Sequence, residues 1–398
     1  MKFLLILKRF LKRIQEKQPV VIFDIGSASI GGAVVFPGKE VPRISYCTRI
    51  YLPFPEKADK QHLLPQIEEV LSQVVGRVQK EGLRSKGKES MVPKEIVCVL
   101  SSLWSNTRTT SASFEHKERF VVTDNIMDNL LAQIHKTNEE DKEDTTVTIE
   151  EVVVNSLLNG YPTRFPLGKR AQRIDVSFLE STVAKSLHEK MDDVIYKVFS
   201  PDIPLLLRSF TLVGFSVTRD VFDDVKDFIL IDVTGEITEI SVVRDSALED
   251  TLSFPYGRNT IVRDIAKKTK SVPEDVLARV RLALADEGAS MREDLAEEEK
   301  QWTKMFGKAC GELSSDTRPL PQKVFLVADA GYGKWFRSMI ERVDFSQFTV
   351  THEVFQVNTL TGSQIKEACT LDDKATRDSF LSIASLFYNR EYLSRRPE

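Results

Sequence analysis

The chain has 398 residues, with 55 Lys+Arg against 59 Asp+Glu and a net charge of −4. At roughly 100–200 residues per domain, that length predicts more than one domain. The near-even charge excludes bulk electrostatic binding to nucleic acid as its main activity. Cys47, Cys98, Cys310 and Cys369 stand singly, which argues against a disulfide framework or zinc cluster and fits a reducing compartment. The five histidines are equally dispersed, with no H-E-x-x-H. No apolar run reaches the ~18 residues that a spanning helix needs. Glycine is scarce at 18 residues, where average usage predicts roughly 28, so each one is expected to serve a purpose.

The first 18 residues, MKFLLILKRFLKRIQEKQ, carry six basic residues and one acid. At helical spacing Phe3, Leu4, Leu7, Phe10, Leu11 and Ile14 share one arc, and Lys8, Arg9, Lys12, Arg13 and Lys17 the other. Such a helix either lies on an anionic membrane surface or packs against its own domain or a partner.

Val20–Phe36, VVIFDIGSASIGGAVVF, reads as a buried strand, a tight turn and a second strand. Asp24 and Gly26 sit at the tip with Ser27 beside them, and a turn of this kind aims backbone N–H groups at an anion. A carboxylate beside a phosphate calls for an intervening cation, so the pairing implies Mg²⁺ held through water. Phe228–Val243, FILIDVTGEITEISVV, repeats the design with Asp232, Thr234 and Gly235, and Thr238 opens its second strand. Two such hairpins predict a duplicated fold whose halves face each other across a cleft. Val324–Gly333, VFLVADAGYG, is a third apolar strand, running into Gly331 and Gly333 and then a helix over 335–343.

In this order and spacing the three segments resemble those of the actin-like ATPase superfamily. FDIGSASI is similar to its first phosphate loop, IDVTGEITEI to its second and VFLVADAGYG to its adenosine segment. Ser379–Arg390 resembles the C-terminal connecting helix, with Ala384 and Ser385 toward the cleft. Within the superfamily the likeness is to bacterial FtsA and its relative PilM, carried by Phe254–Ala266 (FPYGRNTIVRDIA) and by the insertion between the hairpins. That insertion reads as a helix over 121–134, a charged loop over 136–144, a strand over 151–154, turns at Gly160 and Gly168, and a helix over 181–198.

The resemblance implies an α/β, duplicated actin-like (ribonuclease H-like) fold, with a mixed five-stranded sheet in each half and an FtsA-type inserted α+β module. The expected divisions are an N-terminal helix over 1–18, subdomain IA over 19–118 and 201–226, and the module over 119–200. Subdomain IIA follows over 227–268 and 321–374, IIB over 269–320, and the connecting helix over 375–398. The resemblance implies ATP and Mg²⁺ as cofactors, bound by Asp24, Gly26, Ser27, Asp232, Thr234, Gly235, Thr238, Gly331 and Gly333, with Asp24 and Asp232 on the metal through water. It implies a cytoplasmic scaffold, peripheral on the inner face of the cell membrane, that self-associates and tethers a tubulin-like division polymer. The alternatives are a PilM-like platform for pilus inner-membrane proteins and a degenerate scaffold without nucleotide turnover.

The sequence departs from the family where catalysis would be. Thr234, Glu236 and Ile237 flank the single Gly235 of the second loop, Ala328 and Asp329 replace the adenosine glycines, and Gly31 stands where relatives often have Lys. Residues 210–224 offer no clear water-positioning acid or amide, Asp220 being the one candidate. Turnover is therefore expected to be at most that of a weak ATPase.

Overall fold

A computed structural model describes residues 18–54, 60–84, 90–139, 145–163, 165–285, 292–315, 317–329, 331–349, 353–360, 365, 368–373 and 375–394. The amphipathic segment with Phe3, Leu4, Leu7, Phe10, Leu11 and Ile14 lies outside the described residues.

The two Asp-tipped hairpins are the central strands of two sheets with one topology. In the first, β1 (Val20–Ile25) pairs antiparallel with β2 (Ser29–Phe36), and β2 with β3 (Arg43–Tyr51). On the other side β1 runs parallel to β4 (Ile96–Leu100), which runs parallel to β9 (Leu205–Ser209). In the second sheet β10 (Phe228–Val233) pairs antiparallel with β11 (Thr238–Arg244), and β11 with β12 (Ala247–Phe254). There β10 runs parallel to β13 (Lys323–Ala328), which runs parallel to β14 (Gln356–Thr359). The second sheet has the expected five strands, but the first has six. The sixth, β15 (Thr370–Leu371), is a two-residue strand beside Arg43 and Ile44, too short to leave a sequence pattern.

Every residue of β1 and β10 is buried, because both faces of each sheet are covered. Strand alternation then decides which layer each side chain enters. Val20 and Ile22 of β1, with Phe228 and Leu230 of β10, join one shared core with α4 (Phe210–Val221) and α9 (Ser379–Ser394). Val21, Phe23 and Ile25 face the opposite way, onto α1 (Lys60–Arg77) and α3 (Lys185–Tyr196). Ile229, Ile231 and Val233 likewise face α5 (Arg258–Thr269), α6 (Pro273–Ala285), α7 (Arg292–Leu313) and α8 (Gly333–Arg342). Asp24 and Asp232 have the parity of the shared layer, so both carboxyls enter the space between the sheets.

A third sheet lies between β4 and β9 in the chain. Its strands are β5 (Ser105–Val121), β6 (Thr146–Leu158), β7 (Tyr161–Pro162) and β8 (Arg170–Ala184), in the order β5-β8-β6-β7. One face carries α2 (Asp124–Glu139) on a small core that includes Leu130, Ile134, Ile174 and Phe178. Several sequence expectations shift here. The strand expected over 151–154 is thirteen residues long, and the helix expected from 181 begins at Lys185. Ser181–Ala184 instead finish β8, which is paired on both sides. Residues 105–118, placed before the module by sequence, already pair with β8 in this sheet. Asn159 and Gly160, both at positive φ, make the β6–β7 turn.

Two charged segments, over 77–84 and 292–300, are partly internal. Gly82 packs so closely that a Cβ there would lie 2.7 Å from Val34 and 2.8 Å from Tyr46. Glu298 of α7 is buried, bonded to the Tyr256 hydroxyl and to Lys268.

Candidate functional site

Both hairpin tips close with the same backbone bond. Gly26 N donates to Ser29 O and Thr234 N to Ile237 O, each at 3.0 Å. The tips then meet directly. The Ser27 hydroxyl donates to Thr234 Oγ1 at 3.0 Å and accepts from Glu236 N at 3.0 Å, while the Thr234 hydroxyl donates to Ile237 O at 3.0 Å. Every member of this chain is satisfied, and such chains reinforce one another in a dry interior. Gly235 lies against Ala28 so closely that a Cβ on it would be 2.5 Å from the Ala28 Cβ.

Part of the charge in the cleft is matched internally. Arg49 of β3 lies beside Gly31 of β2 and reaches past it to the carboxyls. Its Nη2 is 2.7 Å from Asp24 Oδ2, its Nε is 2.6 Å from Asp378 Oδ2, and its Nη1 donates to Ser29 Oγ at 2.9 Å. Asp378 also caps α9, accepting from Leu381 N at 3.0 Å. One guanidinium therefore serves two buried carboxylates unequally. Burial opposes ionisation of Asp378, but the Arg49 charge and hydrogen bonds leave it below the ordinary carboxylate range. Burial pushes Asp24 up to about 6, which Arg49 only partly offsets and Asp378 reinforces. Among the described residues no cation is paired with Asp232. Both its oxygens are buried without a partner, and burial with Glu239 and Asp24 nearby raises its pKa well above the usual value.

The second half has its own lock. Arg258, at the start of α5, is ion-paired with Asp329, and its guanidinium carbon lies 5.2 Å from the Tyr332 ring centre and 5.6 Å from that of Tyr51. Tyr51 belongs to β3, so this contact crosses the cleft; Arg281 approaches the same ring at 5.6 Å. Arg258 N and Asn259 N donate to the carbonyls of Thr234 and Gly235 at 3.0 and 2.7 Å. The first N–H groups of α5 are thus already used by the loop. Glu236, whose charge would oppose a phosphate, points away into Arg263 and Thr260.

Asp24, Gly26, Ser27, Asp232, Thr234 and Gly235 are brought together around one cavity, with Arg49, Ser101 and Asp329. Thr238 is not at that wall. It is fully buried, donating to Tyr256 O at 2.8 Å and accepting from Trp302 Nε1 at 3.0 Å. Gly331 and Gly333 form the β13–α8 turn, where Gly331 has φ +92° and Gly333 lies against Thr359. Asp220 pairs with Arg219 and Arg390 away from the cavity wall. Sequence reasoning missed Arg49 and Arg258. A glycine inside a strand marks close approach by another group, and Gly31 was the available signal.

Proteins of the actin-like ATPase fold generally bind nucleotide and Mg²⁺. Here the cavity between the tips is about 10 Å³, the room for about one water, where small-molecule sites span about 300–1,000 Å³. Asp24 is taken by Arg49, and among the described residues no group of three His, Cys, Asp or Glu could hold a metal. The residues as arranged do not fit ATP·Mg²⁺.

No family model and no curated protein sequence matches the chain. Solved structures do. One, described as the PilM-PilN type IV pilus biogenesis complex, matches at a TM-score of 0.61 and 12% identity, covering 95% of this chain and 99% of that one. The ethanolamine utilization protein EutJ from Carboxydothermus hydrogenoformans matches at 0.42 and 12% identity, over 85% and 83% of the two chains. An actin-like ATPase fold protein from Bacteroides thetaiotaomicron matches at 0.39 and 9%, over 94% and 97%. The chain has the actin-like ATPase fold.

Proposed function

We propose that the chain is an actin-like assembly scaffold that binds inner-membrane proteins of a type IV pilus or related secretion machine; the structure it matches is described as the PilM-PilN type IV pilus biogenesis complex. The observation that supports this most is the match to that structure over nearly the whole of both chains. The internal pairing of Ser27 with Thr234, of Arg49 with Asp24 and of Arg258 with Asp329 supports a scaffold over an enzyme. The division reading, with a tubulin-like polymer as partner, gains nothing from the comparisons beyond the shared fold. The basic amphipathic segment over 1–18 would hold the scaffold on the cytoplasmic face of the membrane, and self-association would array it there.

The test is fluorescence anisotropy of the full chain with peptides from the cytoplasmic segments of pilus inner-membrane proteins encoded in the same genome. Saturable binding to one of them is expected. Absence of binding to any, together with co-pelleting on a tubulin-like polymer, would transfer the reading to the divisome. Flotation with anionic vesicles, with and without residues 1–18, examines the membrane contact; equal flotation of both forms would remove it.

A further inference from the structure

The two hairpin tips of the cleft are joined directly by the chain's own groups. Four observations bear on this. The Ser27 hydroxyl bonds both Thr234 Oγ1 and Glu236 N, so the anion-binding groups of one tip are spent on the other. Ala28 and Gly235 leave no separation for an intervening group. Arg49 supplies positive charge to Asp24 and Asp378 from β3, across β2 from Asp24, reaching past Gly31 because it has no side chain. Tyr51 of the first half rests on Arg258 and Arg281 of the second, closing the far end.

The duplicated topology sharpens the role of Arg49. In the first sheet Asp24 is paired with Gly31, and Gly31 with Arg49. The equivalent positions of the second sheet are Asp232, Glu239 and Ser253. The same aspartate therefore has a guanidinium within reach in one half, and a second carboxylate with a short hydroxyl in the other. Among the described residues Asp24 is ion-paired and Asp232 is not.

We propose that the cleft is held shut by the chain's own side chains. The Arg49 guanidinium is a built-in cation for Asp24 and Asp378, the Ser27–Thr234–Glu236 contacts are the latch, and closure needs neither nucleotide nor Mg²⁺. The conformational cycle that a nucleotide would drive is replaced by a constitutive closed state, suited to a scaffold presenting a fixed surface. This inference stands on the cleft alone, whichever machine the scaffold serves.

Three measurements on the full chain test it. Ser27→Cys/Thr234→Cys should form a cross-link under mild oxidation without added nucleotide, to the same extent with or without Mg·ATP. The melting temperature of the unsubstituted protein should not move with Mg·ATP. Arg49→Met should lower hydrogen-exchange protection at residues 26–29 and 234–237 by about tenfold or more, the ratio for one lost charge-assisted hydrogen bond. Arg49→Lys, which keeps the charge but not the fork, should fall between and serves where Arg49→Met does not fold. A saturable Mg²⁺-dependent rise in melting temperature with ATP, a cross-link that forms only with nucleotide, or unchanged exchange in the foldable Arg49 variant would overturn it. None of these outcomes depends on peptide binding, so failure here is separate from failure of the pilus reading.

Discussion

Gly31 and Arg49 are register partners on adjacent strands, and a Cβ on Gly31 would stand 2.7 Å from Arg49 Nη2 and 3.2 Å from Leu381 Cδ1. The guanidinium crosses the space that any other residue would fill. Alanine ordinarily improves a strand position over glycine, so Gly31→Ala is an informative reversal. It should destabilise the protein by about 1–3 kcal/mol, because the guanidinium must leave Asp24 or the strands must part. Urea unfolding of the variant checks the sign; a gain in stability would mean that Arg49 is not confined there.

At the opposite tip, Gly235 would place a Cβ 2.5 Å from the Ala28 Cβ. Gly235→Ala should therefore cost about 1–3 kcal/mol. The obstacle is chiefly one methyl group, so adding Ala28→Gly should recover much of the loss; the Ala28 Cα and Asn259 Nδ2, 3.1 and 3.0 Å away, limit the recovery. Additive losses in the double variant would refute the direct contact between the loops, since coupling between touching residues is what a mutant cycle detects.

The parts of this architecture that were legible in the sequence share one property: each is written within a few consecutive residues. The apolar runs before Asp24 and Asp232 expose both central strands, and their repetition exposes the duplication. What stayed hidden depends on pairing between distant segments. Arg49 lies 25 residues from Asp24 and 329 from Asp378, and meets them only through the register of β2 on β3 and the approach of α9. β5 was hidden for another reason: its residues are mostly polar and mostly exposed, so it lacks the alternation that marks a strand with one face in a core. Glu298 sits in a run of charged residues, a pattern that ordinarily marks a solvated face, but Tyr256 and Lys268 draw it inside.

Thr238 separates a ligand role from a structural one. It links Trp302 to the Tyr256 carbonyl and is fully buried. Thr238→Val keeps the volume but strands the Trp302 N–H and the carbonyl, at about 1–3 kcal/mol for buried groups left unsatisfied. Thr238→Ser should retain most of the stability. Guanidinium unfolding compares the two, and intrinsic tryptophan fluorescence should report a changed Trp302 environment in the Val variant. If Val were as stable as threonine, the bridge would contribute nothing.

Glu150 of β6 gives the fold a pH dependence away from the cleft. It accepts from Ser209 N at 3.0 Å and from the Ser209 hydroxyl, which itself caps α4 by accepting from Leu212 N at 3.2 Å. Burial raises the Glu150 pKa, and the bonds from Ser209 and Ser181 and the charge of Arg208 offset only part of that rise. The unfolded chain releases this proton near the ordinary glutamate value of about 4.3, whereas the folded chain keeps it to higher pH. Between the two values the folded state binds more protons, so the stability linked to Glu150 is complete below the unfolded pKa and declines as pH rises through the folded one. Glu150→Gln keeps an oxygen for Ser209 and cannot ionise, so its stability should lack this decline and exceed that of the unsubstituted protein most at neutral and alkaline pH. The buried carboxyls of the cleft contribute equally to both proteins, so the difference between their urea midpoints across the pH series isolates Glu150. A constant difference, or one that grows toward acid, would show that Glu150 is not held protonated by its burial.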